Sequence, residues 1–314
     1  MGYAVVLGEA LIDLLDGRCE GQPVYRQAIG GAPLNVAVGA ARLGAEVEFV
    51  GSVGDDALAD RIRDFLTSAG VGQQGTITVP APTTLGVATF SGAEPEFRFY
   101  GEPPSYGLLT ADVIDPTLVE AAGVLYCGSI ALLRPSVLAA ARRAWSLTTG
   151  LRVFDPNVRP RLLDAPGALD DLRAVVAGFA AEADLVKLSS ADAELLYDGA
   201  DPEATAGRLR SLGAGTVVVT CGARGALVSA GSETVMVPAP QVRAVDATGA
   251  GDSVMGALVA DLLADGVPPD PAGWRARVEF ALRVAGLVCE SRGGAVAMPT
   301  RDQVAARFTA GQRH

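Results

Sequence analysis

Short, continuously apolar runs alternate with Ala-, Leu- and Arg-rich stretches along most of the chain, and this alternation constrains the fold more than any other feature. The runs fall at 4–7, 47–50, 124–126, 153–154, 185–187, 217–220 and 226–228. Helix-like stretches lie between several of them, at 33–43, 57–69, 135–148, 168–180, 203–212 and 252–263. A strand that is apolar on both faces must be covered on both, so the pattern predicts an α/β fold whose mostly parallel sheet sits between helix layers. The 314 residues, nearly half of them apolar, suffice for one large domain with an insertion or for two average ones. Segments 23–29 and 85–100 break the rhythm with polar–apolar alternation and the aromatics Tyr25, Phe90, Phe97, Phe99 and Tyr100. That pattern suits strands covered on one face, either a small antiparallel lid or an extra edge hairpin.

The formal charge of −11 argues against nucleic acid and anionic membranes as partners. An anionic small molecule can still bind at helix N-termini. Cys19, Cys127, Cys221 and Cys289 are far apart, without metal-ligand spacing. They read as reduced residues of a cytoplasmic protein. The chain opens on a strand-like run with no signal-peptide pattern, and no charge-free apolar run approaches a membrane span.

The only histidine is His314 and the only lysine is Lys187. A Ser-His-Asp triad, a Cys-His dyad, a histidine-bound zinc and a Walker A loop are thereby set aside. Proton transfer near neutral pH falls to carboxylates, and a catalytic metal would be a hard, oxygen-bound cation such as Mg²⁺.

Two stretches carry the chemistry. Asp246-Ala247-Thr248-Gly249-Ala250-Gly251-Asp252 follows the strand-like region 235–245 and opens an apolar helix expected over 253–265. Glycines at a helix start turn tightly and leave N–H groups free, an arrangement that suits a transferring phosphoryl group. Asp252 there reads as a base for an attacking hydroxyl or as an ordinary N-cap. Gly30-Gly31-Ala32-Pro33-Leu34-Asn35 opens a small-residue helix. Asn35 offers a donor and an acceptor, and Asp13 a carboxylate, as sugar hydroxyls require; each also suits a turn or cap.

Together these stretches resemble the signatures of the ribokinase-like (PfkB) sugar kinases. Gly51-Ser52-Val53-Gly54-Asp55-Asp56, Asp155-Pro156-Asn157-Val158-Arg159 and Arg292-Gly293-Gly294-Ala295 extend the resemblance over nearly the whole chain. It implies a single domain over 1–314, with a Rossmann-type core and a β-lid from about 15–30 and 84–104, pairing as a homodimer. It implies ATP and Mg²⁺ as cofactors, with K⁺ in addition. Asp252 would be the base, with Gly249, Ala250 and Gly251 as anion hole. Asp13, Gly30, Gly31 and Asn35 would hold the sugar. Lys187, Ser189, Thr220, Gly222 and Gly225 would lie along the nucleotide. Asp246, Thr248 and Gly294 would hold the monovalent cation.

Some positions depart from the family pattern. Ser189 and Asp192 replace its Asn-x-x-Glu pair, with Asp192 an indirect Mg²⁺ ligand, and Val254 replaces a phenylalanine. Gly8 to Leu14 and Lys187-Leu188-Ser189 look most like fructokinases. Gly101 and the stretch Tyr106 to Leu109 lack an arginine and an aspartate found there, so Arg98 and Arg159 are alternatives for meeting a sugar-acid carboxylate. The expected activity is phosphorylation of a sugar, with fructose first. A 2-keto-3-deoxygluconate, ribose or nucleoside kinase is the alternative, and a non-catalytic binding protein the remaining one.

Overall fold

The structure, a computed structural model, describes residues 2–91, 94–291 and 293–309. Arg292 and His314 lie outside the described residues, as do the side chains of Phe90 and Phe97.

The strands are β1 (Ala4–Leu7), β2 (Leu11–Cys19), β3 (Gln22–Gly30), β4 (Val47–Val53), β5 (Val71–Gly72), β6 (Thr76–Thr78), β7 (Leu85–Ser91), β8 (Glu94–Tyr100), β9 (Val124–Gly128), β10 (Leu151–Asp155), β11 (Leu185–Ser189), β12 (Thr216–Thr220), β13 (Ala226–Ala230) and β14 (Glu233–Val237). The helices are α1 (Ala32–Arg42), α2 (Ala57–Ser68), α3 (Pro116–Glu120), α4 (Pro135–Leu147), α5 (Ala168–Ala180), α6 (Ser190–Leu196), α7 (Pro202–Leu212), α8 (Ala250–Asp265), α9 (Pro271–Cys289) and α10 (Arg301–Thr309).

The main sheet runs β14-β13-β12-β11-β10-β9-β1-β4-β5, with β6 also on β4. Only β13 and β14 join antiparallel. In β1, Ala4 and Val6 pack with α1, α8 and α9, whereas Val5 and Leu7 face the layer of α4 and α5. The continuous apolar run thus fills both faces, as expected. Successive strands lie on opposite sides of β1, so the chain reverses there. In such sheets ligands bind outside the carboxyl ends of the strands at the reversal.

The second sheet has the order β3-β2-β7-β8. It starts at Leu11, earlier than expected, and its central β2–β7 pair is parallel, which corrects the antiparallel expectation. Buried polar contacts join it to the core. Ser52 Oγ donates to Ser105 O at 2.7 Å, and Thr84 and Ser105 exchange amide-to-hydroxyl bonds of 3.1 and 3.0 Å. The strand-like region 235–245 ends as a strand at Val237, because Pro238 and Pro240 have no N–H to continue a ladder.

Candidate active site

Helix α8 begins at Ala250, with Gly249 as N-cap at φ 78°. A side chain there would also sit 2.9 Å from Gly294 Cα, so both the dihedral and the close approach require glycine. The Ala250 amide donates to Ala247 O at 3.1 Å, which removes Ala250 from the expected anion hole. Among the described residues, the amides of Gly249, Gly251 and Asp252 have no acceptor. They form the free, partly positive end of a 16-residue helix. Asp252 is buried in its first turn. Asn35 Nδ2 donates to Asp252 Oδ2 at 2.7 Å, and Asn35 Oδ1 is buried without a partner. The two glycine-rich stretches therefore meet, although 217 residues separate these side chains.

Beneath this turn, Lys187 Nζ donates to Asp155 Oδ2 at 2.6 Å, both side chains buried. A Cβ on Gly251 would lie 3.3 Å from Nζ. Burial alone would lower the lysine pKa, but Asp155, Asp252 and Asp192 outweigh it and hold the ammonium charged, above its usual range. Burial also lifts the Asp155 carboxyl to about 6, against the pull of Lys187. Lys187, expected along the nucleotide, is thus a buried ammonium beneath the start of α8, paired with Asp155. Asp192 Oδ2 accepts from the Ser189 amide and hydroxyl at 2.8 and 2.7 Å, and Oδ1 from the Val158 amide at 3.0 Å. Ser189 and Asp192, expected to serve nucleotide and Mg²⁺, form the capping box of α6 and bond each other and the nearby backbone. Thr220 ends β12, followed by exposed Gly222. Gly225, at φ 103°, serves the β12–β13 turn, where a Cβ would lie 1.9 Å from Val237 O.

Asp13 projects from β2 between Gly30 and Gly86, where Cβ atoms would lie 2.1 and 2.5 Å from its carboxylate oxygens. Its pKa is pushed up to about 7, chiefly by burial; Arg159 pulls it down, and Asp252 and Glu9 push it up. The sugar candidate Asp13 and the base candidate Asp252 therefore share one electrostatic environment, and Asn35, the other sugar candidate, is bonded to Asp252. Gly31, at φ 110°, has room for no side chain, since a Cβ would lie 2.5 Å from Glu9 O. Arg159 is exposed and donates to Asn157 Oδ1 at 2.6 Å, yet its charge reaches Asp13 and Glu9. Arg98 does not join the site. Asp13 is in register with Gly86, and Gly86 with Phe99, so Phe99 shares the face of Asp13. Arg98 is in register with Val87 and Leu14 on the opposite face. Asp246 Oδ1 accepts from the Thr248 amide at 2.9 Å, and Thr248 Cγ2 lies 3.7 Å from a Cβ placed on Gly294, so these three lie together beside the α8 start.

Sequence reasoning gave no role to Glu9, a carboxylate 1% exposed between Asp13 and α1. The signal was an acid inside the apolar stretch Val5 to Leu14. Tyr126, buried with its hydroxyl unpartnered, was also unassigned.

The model of the pfkB family carbohydrate kinases matches residues 1–301. The chain belongs to that family. This carbohydrate kinase, a phosphotransferase acting on a sugar hydroxyl, is 32% identical over 310 residues to probable fructokinase-3 of Arabidopsis thaliana, covering 95% of this chain and 89% of that one. It is 33% identical over 309 residues to the fructokinase of Klebsiella pneumoniae, covering 96% and 98%. Among solved structures, the ATP-bound fructokinase of Xylella fastidiosa superposes with a TM-score of 0.89 at 27% identity, covering 99% of each chain. The Vibrio cholerae fructokinase, with fructose, ADP and calcium bound, gives 0.86 at 28% identity, covering 98% of each. Among the described residues of the kinase, no helix is long and apolar enough to cross a membrane.

Proposed function

We propose that the kinase transfers the γ-phosphate of ATP to a hydroxyl of fructose, with Asp252 as general base. One observation carries this reading: the Asp252 carboxylate, held by Asn35 at 2.7 Å, sits at the free amide end of α8 in the same charge environment as Asp13. Asp13 and Asn35 Oδ1 accept from sugar hydroxyls, and Gly30 and Gly31 let the ring approach the backbone. Asp252 takes the proton of the attacking hydroxyl. The amides of Gly249 and Gly251 receive the charge that grows on the transferring group. The nucleotide lies towards Thr220 and Gly222. The four-stranded sheet, carrying Asp13, closes as a lid and excludes the water that competes as acceptor.

Among the described residues, no group of three or more His, Cys, Asp or Glu side chains could hold a metal, and Asp192 already accepts three hydrogen bonds. These residues do not fit a protein-built Mg²⁺ site, so the cation would come with the nucleotide, on its phosphates and water. Potassium beside Asp246, Thr248 and Gly294 belongs to the same reading, and unchanged turnover in potassium-free buffer would remove it. Exposed Val24 and Tyr25 on the outer strand support pairing of two chains through the small sheet; sedimentation at single-chain mass would exclude that. The free thiols suit a reducing cytoplasm.

The test is an ADP-release assay on Asp252→Asn and on a panel of acceptors. The variant should lose about a hundredfold or more in kcat while still binding ATP. Retained turnover would refute the base. Preference for adenosine, ribose or 2-keto-3-deoxygluconate over fructose would refute the substrate, and nucleotide and sugar binding without turnover would refute catalysis itself.

A further inference from the structure

Helix α1 presents Asn35 to Asp252, yet it begins without a cap of its own. Its N-cap is Gly31, which has no side chain to accept from the first-turn amides. Glu9, distant in sequence, meets the Ala32 amide instead. Its Oε1 accepts from Ala32 at 3.3 Å, and its Oε2 accepts from the Ala131 amide at 3.2 Å. Ala131 lies in the turn that leaves β9, on the other side of the point where the strand order reverses. One buried carboxylate therefore ties the start of α1 to the floor of the sheet.

Both oxygens are used, and each use favours a charged acceptor. A helix N-terminus stabilises an anion, and bonds to an ionised oxygen are about twice as strong as neutral ones. Burial opposes this and raises the carboxyl to about 7, with Ser129, the Ala131 amide and Arg159 pulling the other way. Glu9 is 1% exposed with both oxygens on backbone amides, so contact with a transferring phosphate does not explain an acid at this position. Holding α1 does.

We propose that Glu9 is a positioning residue for phosphoryl transfer: it caps α1 from outside that helix, and so fixes Asn35 and, through Asn35, the Asp252 carboxylate. The inference rests on the roles given above to Asn35 and Asp252. A glutamine at position 9 keeps the size but offers one acceptor oxygen, and turns an NH₂ group towards the second amide.

The test uses the full chain with ATP and fructose. Glu9→Gln should lose about tenfold or more in kcat/KM for the sugar, because small misplacements of reacting groups cost factors of this order. The KM for ATP should stay within about twofold. In an Asn35→Ala background the same change should cost less than about threefold, since both act through one route. Wild-type kinetics for Glu9→Gln, or an equal loss in both backgrounds, would overturn the proposal. Should the variant not fold, hydrogen exchange in the wild-type chain decides. Slow exchange of the Ala32 amide supports the cap, and exchange at the rate of an exposed amide refutes it. If Asn35→Ala and Asp252→Asn themselves keep full turnover, the reading of the base fails; if only Glu9→Gln does, the failure belongs to Glu9 alone.

Discussion

Asp13→Asn should make the free kinase more stable at pH 8 while it damages sugar binding. An aspartate in an unfolded chain titrates near 3.9. In the fold, burial lifts Asp13 to about 7, with Glu9 and Asp252 adding to it and Arg159 opposing. The sign follows from where the proton sits. Below about pH 4 both states are protonated and Asp13 costs nothing. Between about 4 and 7 the unfolded chain releases a proton that the folded chain keeps, so stability falls as pH rises. Above 7 the penalty is complete, at most about 4 kcal/mol for three units. Asp13 is only half-buried, so solvent screening reduces this to about 2 kcal/mol. Asparagine carries no charge and removes the penalty. Thermal unfolding without ligand should therefore show the variant a few degrees above wild type at pH 8. At pH 5 the gap should shrink to about a third, because only about one unit of the shift is then expressed. The KM for the sugar should rise sharply in the same variant, an exchange of stability for function. Equal or lower stability of Asp13→Asn at pH 8, or a gap that ignores pH, would refute the argument.

Lys187→Met strands Asp155 without its 2.6 Å partner and should cost about 3–5 kcal/mol in urea unfolding. Adding Asp155→Asn should recover more than half of that loss, and a double variant no better than the single would contradict the ion-pair account. Arg98→Ala should change kcat/KM for the acceptor by less than about twofold, because its side chain stands on the sheet face away from Asp13. A tenfold loss would place Arg98 back in the site.

The core was legible because its signal is local. A run such as Val217 to Thr220 is apolar at every position, and only burial on both faces accommodates that. Gly249 and Gly31 were legible for the same reason, since a positive φ beside a helix start leaves few other residues. The small sheet was legible only in part. Strand β2 reads Leu-Ile-Asp-Leu-Leu-Asp, with apolar residues on both faces near its root, and the period-two signal is lost. The side of the sheet on which Arg98 stands depends on pairing of β8 with β7 and of β7 with β2, which no single segment encodes. The capping box at Asp192 was not legible because a carboxylate three residues into a helix reads equally as ligand or cap, and its three donors are set by the fold.

The charge of the site explains why glycine recurs where cations would be expected. A chain of net charge −11 must hold a polyanion, yet its only lysine is neutralised by Asp155 beneath the site. Asp252 adds a further negative charge at the point of transfer. Attraction for phosphate must then come largely from dipoles that cannot be neutralised by a nearby acid, which means unpaired backbone amides at a helix end. On the proposed reading, the unpaired amides of Gly249, Gly251 and Asp252 supply what a cluster of basic side chains would otherwise supply.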